Sequence, residues 1–265
     1  MPFVRPKFKG FTGEPDVPIW ALIPNLITTI ALSCGLASIY FSMQGKFEHA
    51  MAAIILSGIF DVLDGRAARM LKASSKFGAV LDSLSDFLSF GVAPAVLLLQ
   101  RDLVKEDALG LAAAMTYAIC AAVRLARFTS AATVPAKPDA PGAVFFTGMP
   151  SPAAAGAALI PPMLMASETL KSLEITIKPG LVAAHMIVIG LFMISRLPMF
   201  SIKKIRISRG LIAPLLVVLG LIVASAVKDV WLTTAGLSMF YLLLIPVAFI
   251  TRMREKASKQ PEAAS

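Results

Sequence analysis

Apolar runs about as long as a bilayer is thick recur along this chain, near residues 20–43, 47–63, 80–100, 107–128, 151–167, 180–198, 211–227 and 230–251. Runs of about 18–20 apolar residues with few charges read as membrane-spanning helices. A spanning segment must satisfy its own backbone hydrogen bonds, because the hydrocarbon core holds no water, and a helix does so. The predicted fold is therefore all-α: a polytopic membrane helix bundle of about eight transmembrane helices. Composition agrees, with 57% hydrophobic and only 15% charged residues, against about 45–50% and about 25% in soluble domains.

Charge sets the expected orientation. With the N-terminus in the cytoplasm, nineteen of the 25 Lys and Arg fall on the cytoplasmic side; the six others are Lys46, Arg101, Lys105, Lys171, Lys178 and Lys228. Positive residues mark cytoplasmic loops, so both termini are expected there, with an even helix count. Residues 1–19 read as a polar cytoplasmic leader rather than a cleavable signal, 20–251 as one membrane domain, and 252–265 as a polar cytoplasmic tail. The basic face also suits anionic membrane lipids. Nucleic acid is not an expected partner, because no basic stripe is interleaved with aromatics on a soluble domain. Cys34 and Cys120 each fall inside a predicted helix and read as small buried hydrophobes.

Against this background the segment FDVLDGRAARMLKASSKFGAVLDSLSDF, residues 60–87, is anomalous. Asp61 and Asp64 are three residues apart at the end of the second run, and Asp82 and Asp86 are four apart at the start of the third. Each pair shares a helical face. A loop over about 65–80 would make the two helices antiparallel neighbours and bring four carboxylates together just inside the membrane boundary. Such a group repels itself unless protonated or compensated. Oxygen-only ligands suit Mg²⁺, Mn²⁺ or Ca²⁺, and two carboxylates per helix could clamp a metal pair for phosphoryl transfer. Gly65 lets a bulky group approach the backbone, Arg69 can fork onto phosphate oxygens, and Gly78 offers a second close approach. Ionisable residues in a membrane helix are functional candidates.

The pattern D-x2-D-G-x2-A-R-x8-G-x3-D-x3-D is met in full by Asp61, Asp64, Gly65, Ala68, Arg69, Gly78, Asp82 and Asp86. It resembles the signature of the CDP-alcohol phosphotransferases, which move a substituted phosphate from a CDP-linked donor to a hydroxyl and release CMP. The resemblance implies that Asp61, Asp64, Asp82 and Asp86 form a divalent metal site for Mg²⁺ or Mn²⁺. It implies that Asp86 is also the catalytic base, and that Gly65, Arg69 and Gly78 cradle the diphosphate. Asn25 and Thr28, with Thr29 beside them, begin the first helix at the same depth, in a Pro-Asn-x-x-Thr similar to one in related enzymes. They either contact cytidine or the diphosphate, or join two helices through polar side chains.

Looser stretches resemble the membrane-embedded phosphatidylserine synthase branch: SLSDFLSFGVAP (83–94), AAVRLARF (121–128), FTGMPSPAAA (146–155) and SRLPMFSIKKI (195–205). This implies CDP-diacylglycerol and L-serine as substrates, in phospholipid biosynthesis. The site would face the cytoplasm, as in a multi-pass protein of a bacterial inner membrane. Arg124 and Arg127, three apart on one helical face, either bind the serine carboxylate or face lipid phosphate or the diphosphate. Ser151 is a plausible helix N-cap, with Pro152 at the first helical position. His49 and His185 read as packing residues. The resemblance allows a homodimer, but no interface is legible, and the last two helices read as scaffold.

Two rival readings stand beside this one. The same chemistry could serve glycerol-3-phosphate or inositol phosphate, with Arg124, Arg127, Lys203, Lys204 and Arg206 supplying cations. Buried carboxylates could instead line a cation transporter, which predicts ionisable groups spread through the bilayer depth.

Overall fold

The computed structural model describes residues 19–71, 73, 75–104, 107–132, 145–174, 176–195, 198–200 and 212–259. A 3₁₀ turn, Ile19–Leu22, leads into α1 (Ile23–Met43), which is followed by α2 (Phe47–Met70), α3 (Lys76–Asp86), α4 (Ala93–Leu98) and α5 (Asp107–Ala132). Then come α6 (Ser151–Ala158), α7 (Ile160–Ala166), α8 (Pro179–Ile194), α9 (Ile212–Lys228) and α10 (Val230–Lys259). These helices form eight rods, because α3 with α4, and α6 with α7, run on from one another. The predicted polytopic membrane helix bundle is therefore the architecture found. Among the described residues three rods, Trp20–Met43, Lys76–Leu103 and Ala108–Ser130, are long and apolar enough to cross a membrane by length and composition.

Small residues let α1 pack closely. Its buried positions are Pro24, Thr28, Ala31, Gly35, Ser38 and Ser42, spaced by three and four. A Cβ at Gly35 would lie 2.3 Å from Ser89 Oγ and 3.0 Å from Ser89 Cα. Ser57 Oγ on α2 and Ser89 Oγ beyond α3 both donate to the Ala31 carbonyl, at 2.9 and 3.4 Å. Membrane helices associate through such small, hydrogen-bonding faces. As a result α1 packs along both α2 and α3, which have little direct contact with each other. The expected antiparallel neighbours are thus the two walls of a cleft floored by α1.

The third rod is not uniform. Between α3 and α4, Phe87–Val92 winds as a π-helix directly after Asp86. Pro94 has no N–H to offer the carbonyl four residues back, that of Phe90. The fully buried Tyr117 of α5 donates its hydroxyl to that oxygen at 2.9 Å. The fifth rod breaks at Leu159 because Pro161 and Pro162 cannot continue the ladder. His185 Nε2 donates to the Ala157 carbonyl, which Pro161 leaves free, at 2.8 Å. His185 is a packing residue as predicted, with a definite partner. His49 is exposed and meets the ring of Phe41. Cys34 and Cys120 are free.

Several boundaries differ from the sequence reading. Helix α2 runs to Met70 and α3 begins at Lys76, both inside the loop expected over 65–80, so Gly65, Arg69 and Gly78 lie on helices. Ser75, which accepts from the Gly78 N–H at 2.9 Å, is the cap that starts α3 so early. At the other end α10 continues to Lys259, into the expected polar tail. The leader over 1–18, residues 260–265 and the basic residues Lys203, Lys204 and Arg206 lie outside the described residues.

Two short strands were not foreseen. β1 (Phe145–Thr147) pairs antiparallel with β2 (Pro198–Phe200), with Phe146 opposite Met199. Gly148 follows β1 at φ +84°, where a Cβ would also lie 2.6 Å from the Met193 carbonyl oxygen. This turn delivers Pro150 and Ser151 to the start of α6.

Candidate active site

The cleft floored by α1 gathers the aspartates. Ligand oxygens of Asp61, Asp64 and Asp82 all lie within 4.8 Å of one another. The sequence explains the convergence: 61 and 64 share a face near the end of α2, and 82 and 86 share one in α3. Asp64 is buried, and Thr28 of α1 donates its hydroxyl to Asp64 Oδ2 at 2.6 Å. Asp86 stands beside this trio rather than within it, with its carboxyl in hydrogen-bonding reach of Asp61.

A cavity of about 140 Å³ opens next to the carboxylates, lined by Asn25, Thr28, Asp64, Gly65, Gly78 and Asp82 among others. Asn25 and Thr28, placed by sequence only at a shared depth, are thus brought to the same hollow as the acids. A Cβ at Gly78 would meet Asn25 Oδ1 at 2.7 Å, so this glycine lets α1 and α3 close on each other. Gly65 is different. A Cβ there would make only ordinary contacts, 3.5 Å from Arg69 Nη1 and 3.8 Å from Nη2. Its missing side chain serves the hollow rather than protein packing, and the Arg69 guanidinium lies beside it.

The two arginines of VRLARF separate. Arg124 Nη1 donates to Ser151 Oγ, and its charge acts on Asp86, Tyr241 and Tyr117. Arg127 is exposed, and its Nη1 donates to the Ile194 carbonyl at 2.6 Å, in the last turn of α8. Only Arg124 joins the carboxylates. Ser151 is the first residue of α6 and makes no capping hydrogen bond; the position before it is Pro150. Its hydroxyl holds Arg124 instead, which corrects the expected N-cap. The VRLARF and FTGMPSPAAA stretches therefore meet at one contact.

Sequence reasoning passed over Tyr241 of α10, whose hydroxyl is buried without a partner near Arg124. A tyrosine within the apolar run MFYLLLIPVAFI was the available signal. Asp229 was also missed. At the turn between α9 and α10 its Oδ2 accepts from Ser167 Oγ at 2.5 Å and the Thr169 N–H at 3.0 Å. Its Oδ1 accepts from the Leu232 N–H at 2.9 Å. Burial pushes the Asp229 carboxyl up, but these donors outweigh it and hold it well below the usual carboxylate range. It fastens α10 to the end of α7.

The donor set suits a hard divalent cation. Three carboxylates approach within reach of one ion, a fourth adjoins them, and the charge of Arg124 acts on that fourth, Asp86. Four clustered carboxylates with one guanidinium leave negative charge that a bound cation would compensate.

Comparison with known proteins agrees with this geometry. The chain is 39% identical over 134 residues to the CDP-diacylglycerol–serine O-phosphatidyltransferase of Mycobacterium tuberculosis, covering 51% of this chain and 46% of that one. The protein of the same name from Helicobacter pylori is 37% identical over 141 residues, 53% of this chain and 56% of that one. The one from Methanocaldococcus jannaschii is 42% identical over 106 residues, 40% and 48% of the two chains. The chain thus spans about half the length of the curated relatives it matches. The model of the CDP-alcohol phosphatidyltransferase family matches residues 21–261, from the start of α1 through α10. A family match of that extent, over helices that assemble the full aspartate signature in one cleft, sets the transporter reading aside: the chain belongs to the CDP-alcohol phosphatidyltransferase family.

Proposed function

We propose that this protein transfers a phosphatidyl group from CDP-diacylglycerol to the hydroxyl of L-serine, yielding phosphatidylserine and CMP. The observation that carries the transfer chemistry is the convergence of Asp61, Asp64 and Asp82 beside Asp86, at a hollow edged by Gly65 and Gly78. The choice of serine rests on the names of the relatives and on the VRLARF and FTGMPSPAAA stretches.

In this reading Asp61, Asp64 and Asp82 hold a divalent cation, Mg²⁺ or Mn²⁺, with Asp86 completing the site. When bound, that cation supplies positive charge to offset the diphosphate. Asn25, Thr28, Gly65, Arg69 and Gly78 receive the CDP moiety. Asp86 takes the proton from the serine hydroxyl, whose oxygen forms a bond to the phosphorus that carries diacylglycerol. The bond from that phosphorus to the CMP oxygen breaks, and CMP leaves. A positioned base matters because a free hydroxyl is a weak nucleophile at neutral pH. Arg124 orients the acceptor, and Arg127 steadies the end of α8 beside it.

The distribution of Lys and Arg supports a site and termini on the cytoplasmic side of a multi-pass protein, in the inner membrane of a bacterium. A homodimer would follow the family expectation.

The test is an acceptor panel. Purified protein with CDP-diacylglycerol and Mn²⁺ or Mg²⁺ is expected to release CMP with L-serine, and not with glycerol-3-phosphate or inositol phosphate. Asp86→Asn is expected to lose that turnover. CMP release with a phosphate-bearing acceptor alone would replace serine by that rival.

A further inference from the structure

We infer that Tyr241, on the last helix, is a specificity-determining residue. Its hydroxyl and the Nε–H of Arg124 form a pair of donors for the carboxylate of the acceptor. The inference rests on the reading above, that the acceptor is an amino acid.

Both atoms are buried, and neither has a partner. Among the described residues the only other such side-chain atom is Ser38 Oγ, in the middle of α1. A buried unsatisfied donor costs about 1–3 kcal/mol, and native proteins keep few of them. Two in the same neighbourhood are better explained by a missing ligand than by tolerance.

Their surroundings define that ligand. Arg124 is fixed by Ser151 through Nη1, which leaves Nε free on another edge of the guanidinium. Ser151, which holds Arg124, directly precedes Pro152, and Pro152 and Tyr241 wall one cavity, so the two donors lie in one neighbourhood, where the Arg124 charge also acts on Asp86. A tyrosine hydroxyl and an arginine Nε–H both offer protons. The complement is a group that only accepts, and a planar carboxylate can take one donor on each oxygen. Serine has its carboxylate only a few bonds from its hydroxyl. Placing that hydroxyl at Asp86 therefore directs the carboxylate to the Arg124 end.

Tyr241 also marks a boundary. Its ring lines an apolar cavity of about 550 Å³, walled by Ile54, Ile59, Val62, Leu63 and Pro152 among others. The last helix, which carries no other evident chemistry, thereby acquires a role in acceptor choice.

The experiment compares wild type with Tyr241→Phe in the purified full chain, measuring CMP release at varied L-serine and varied CDP-diacylglycerol. The hydroxyl has no protein partner, so its removal should not lower the melting temperature, and relief of an unsatisfied buried donor should raise it slightly. The serine KM is expected to rise about tenfold, the loss of one hydrogen bond to a charged group. kcat and the KM for CDP-diacylglycerol should stay within about twofold, since the donor lipid keeps its own contacts. Serine should raise the melting temperature of wild type and not of the variant, a binding readout independent of turnover. An unchanged serine KM, or a rise in the CDP-diacylglycerol KM instead, overturns the inference while leaving the proposed reaction standing. Wild type that releases no CMP with serine overturns both.

Discussion

Thr28 on α1 donates its hydroxyl proton to the buried carboxylate of Asp64 on α2 across 2.6 Å. One contact thus ties the helix that floors the cleft to an acid in its wall. It orients Asp64 toward Asp61 and Asp82, whose oxygens share the same 4.8 Å neighbourhood.

Thr28→Val should therefore weaken metal binding without dismantling the bundle. A hydrogen bond to a charged group contributes about 1.5–3 kcal/mol, and losing the group that orients a metal ligand costs about 10–100-fold. The expected result is a loss of that size in apparent Mn²⁺ affinity, read from activity against metal concentration. Thr28→Ser, which keeps the hydroxyl, should recover most of it.

Metal removal should stop the reaction. Chelation is expected to abolish CMP release, with restoration by added Mg²⁺ or Mn²⁺. The same ions should raise the melting temperature of wild type and fail to do so for Asp61→Asn or Asp82→Asn. A thermal shift that survives in both variants would place the ion elsewhere.

Two glycines should separate function from stability. Gly35→Ala drives a Cβ to 2.3 Å from Ser89 Oγ and 3.0 Å from its backbone. Such overpacking costs about 1–3 kcal/mol, so thermal unfolding in detergent should shift to lower temperature. Gly65→Ala meets only Arg69 at 3.5 Å. It should melt like wild type and yet lose most CMP release, because the new methyl group occupies the hollow assigned to the diphosphate.

Asp229 gives a pH-dependent prediction. Its carboxyl is held below the usual range, so its contribution to stability is complete above its unfolded value, about 3.9. That contribution is lost as pH falls through the lower folded value. Asp229→Ala should lower the melting temperature near neutral pH by roughly 3–10 °C, since it strands three donors. The gap from wild type should narrow only under strongly acidic conditions. A gap that closes already near neutrality would contradict the hydrogen-bonded carboxylate.

What the sequence determined by itself was local in origin. The eight rods follow from the length of the apolar runs, and the facing of Asp61 with Asp64, and of Asp82 with Asp86, follows from helical periodicity. The donor-end signature followed too, since Gly65, Arg69 and Gly78 carry it in their spacing. The tertiary structure decided everything that depends on which helices meet. Small residues at Ala31 and Gly35 drew α1 between α2 and α3, opening a cleft where neighbours were expected. Arg124 and Arg127 look equivalent three residues apart, yet one reaches Ser151 at the start of α6 and the other Ile194 at the end of α8. Tyr241 is more than a hundred residues from Arg124 in the chain, and no periodicity links them. Only long-range packing of apolar and small faces, which carries no local signature, could bring its hydroxyl into the neighbourhood of Arg124.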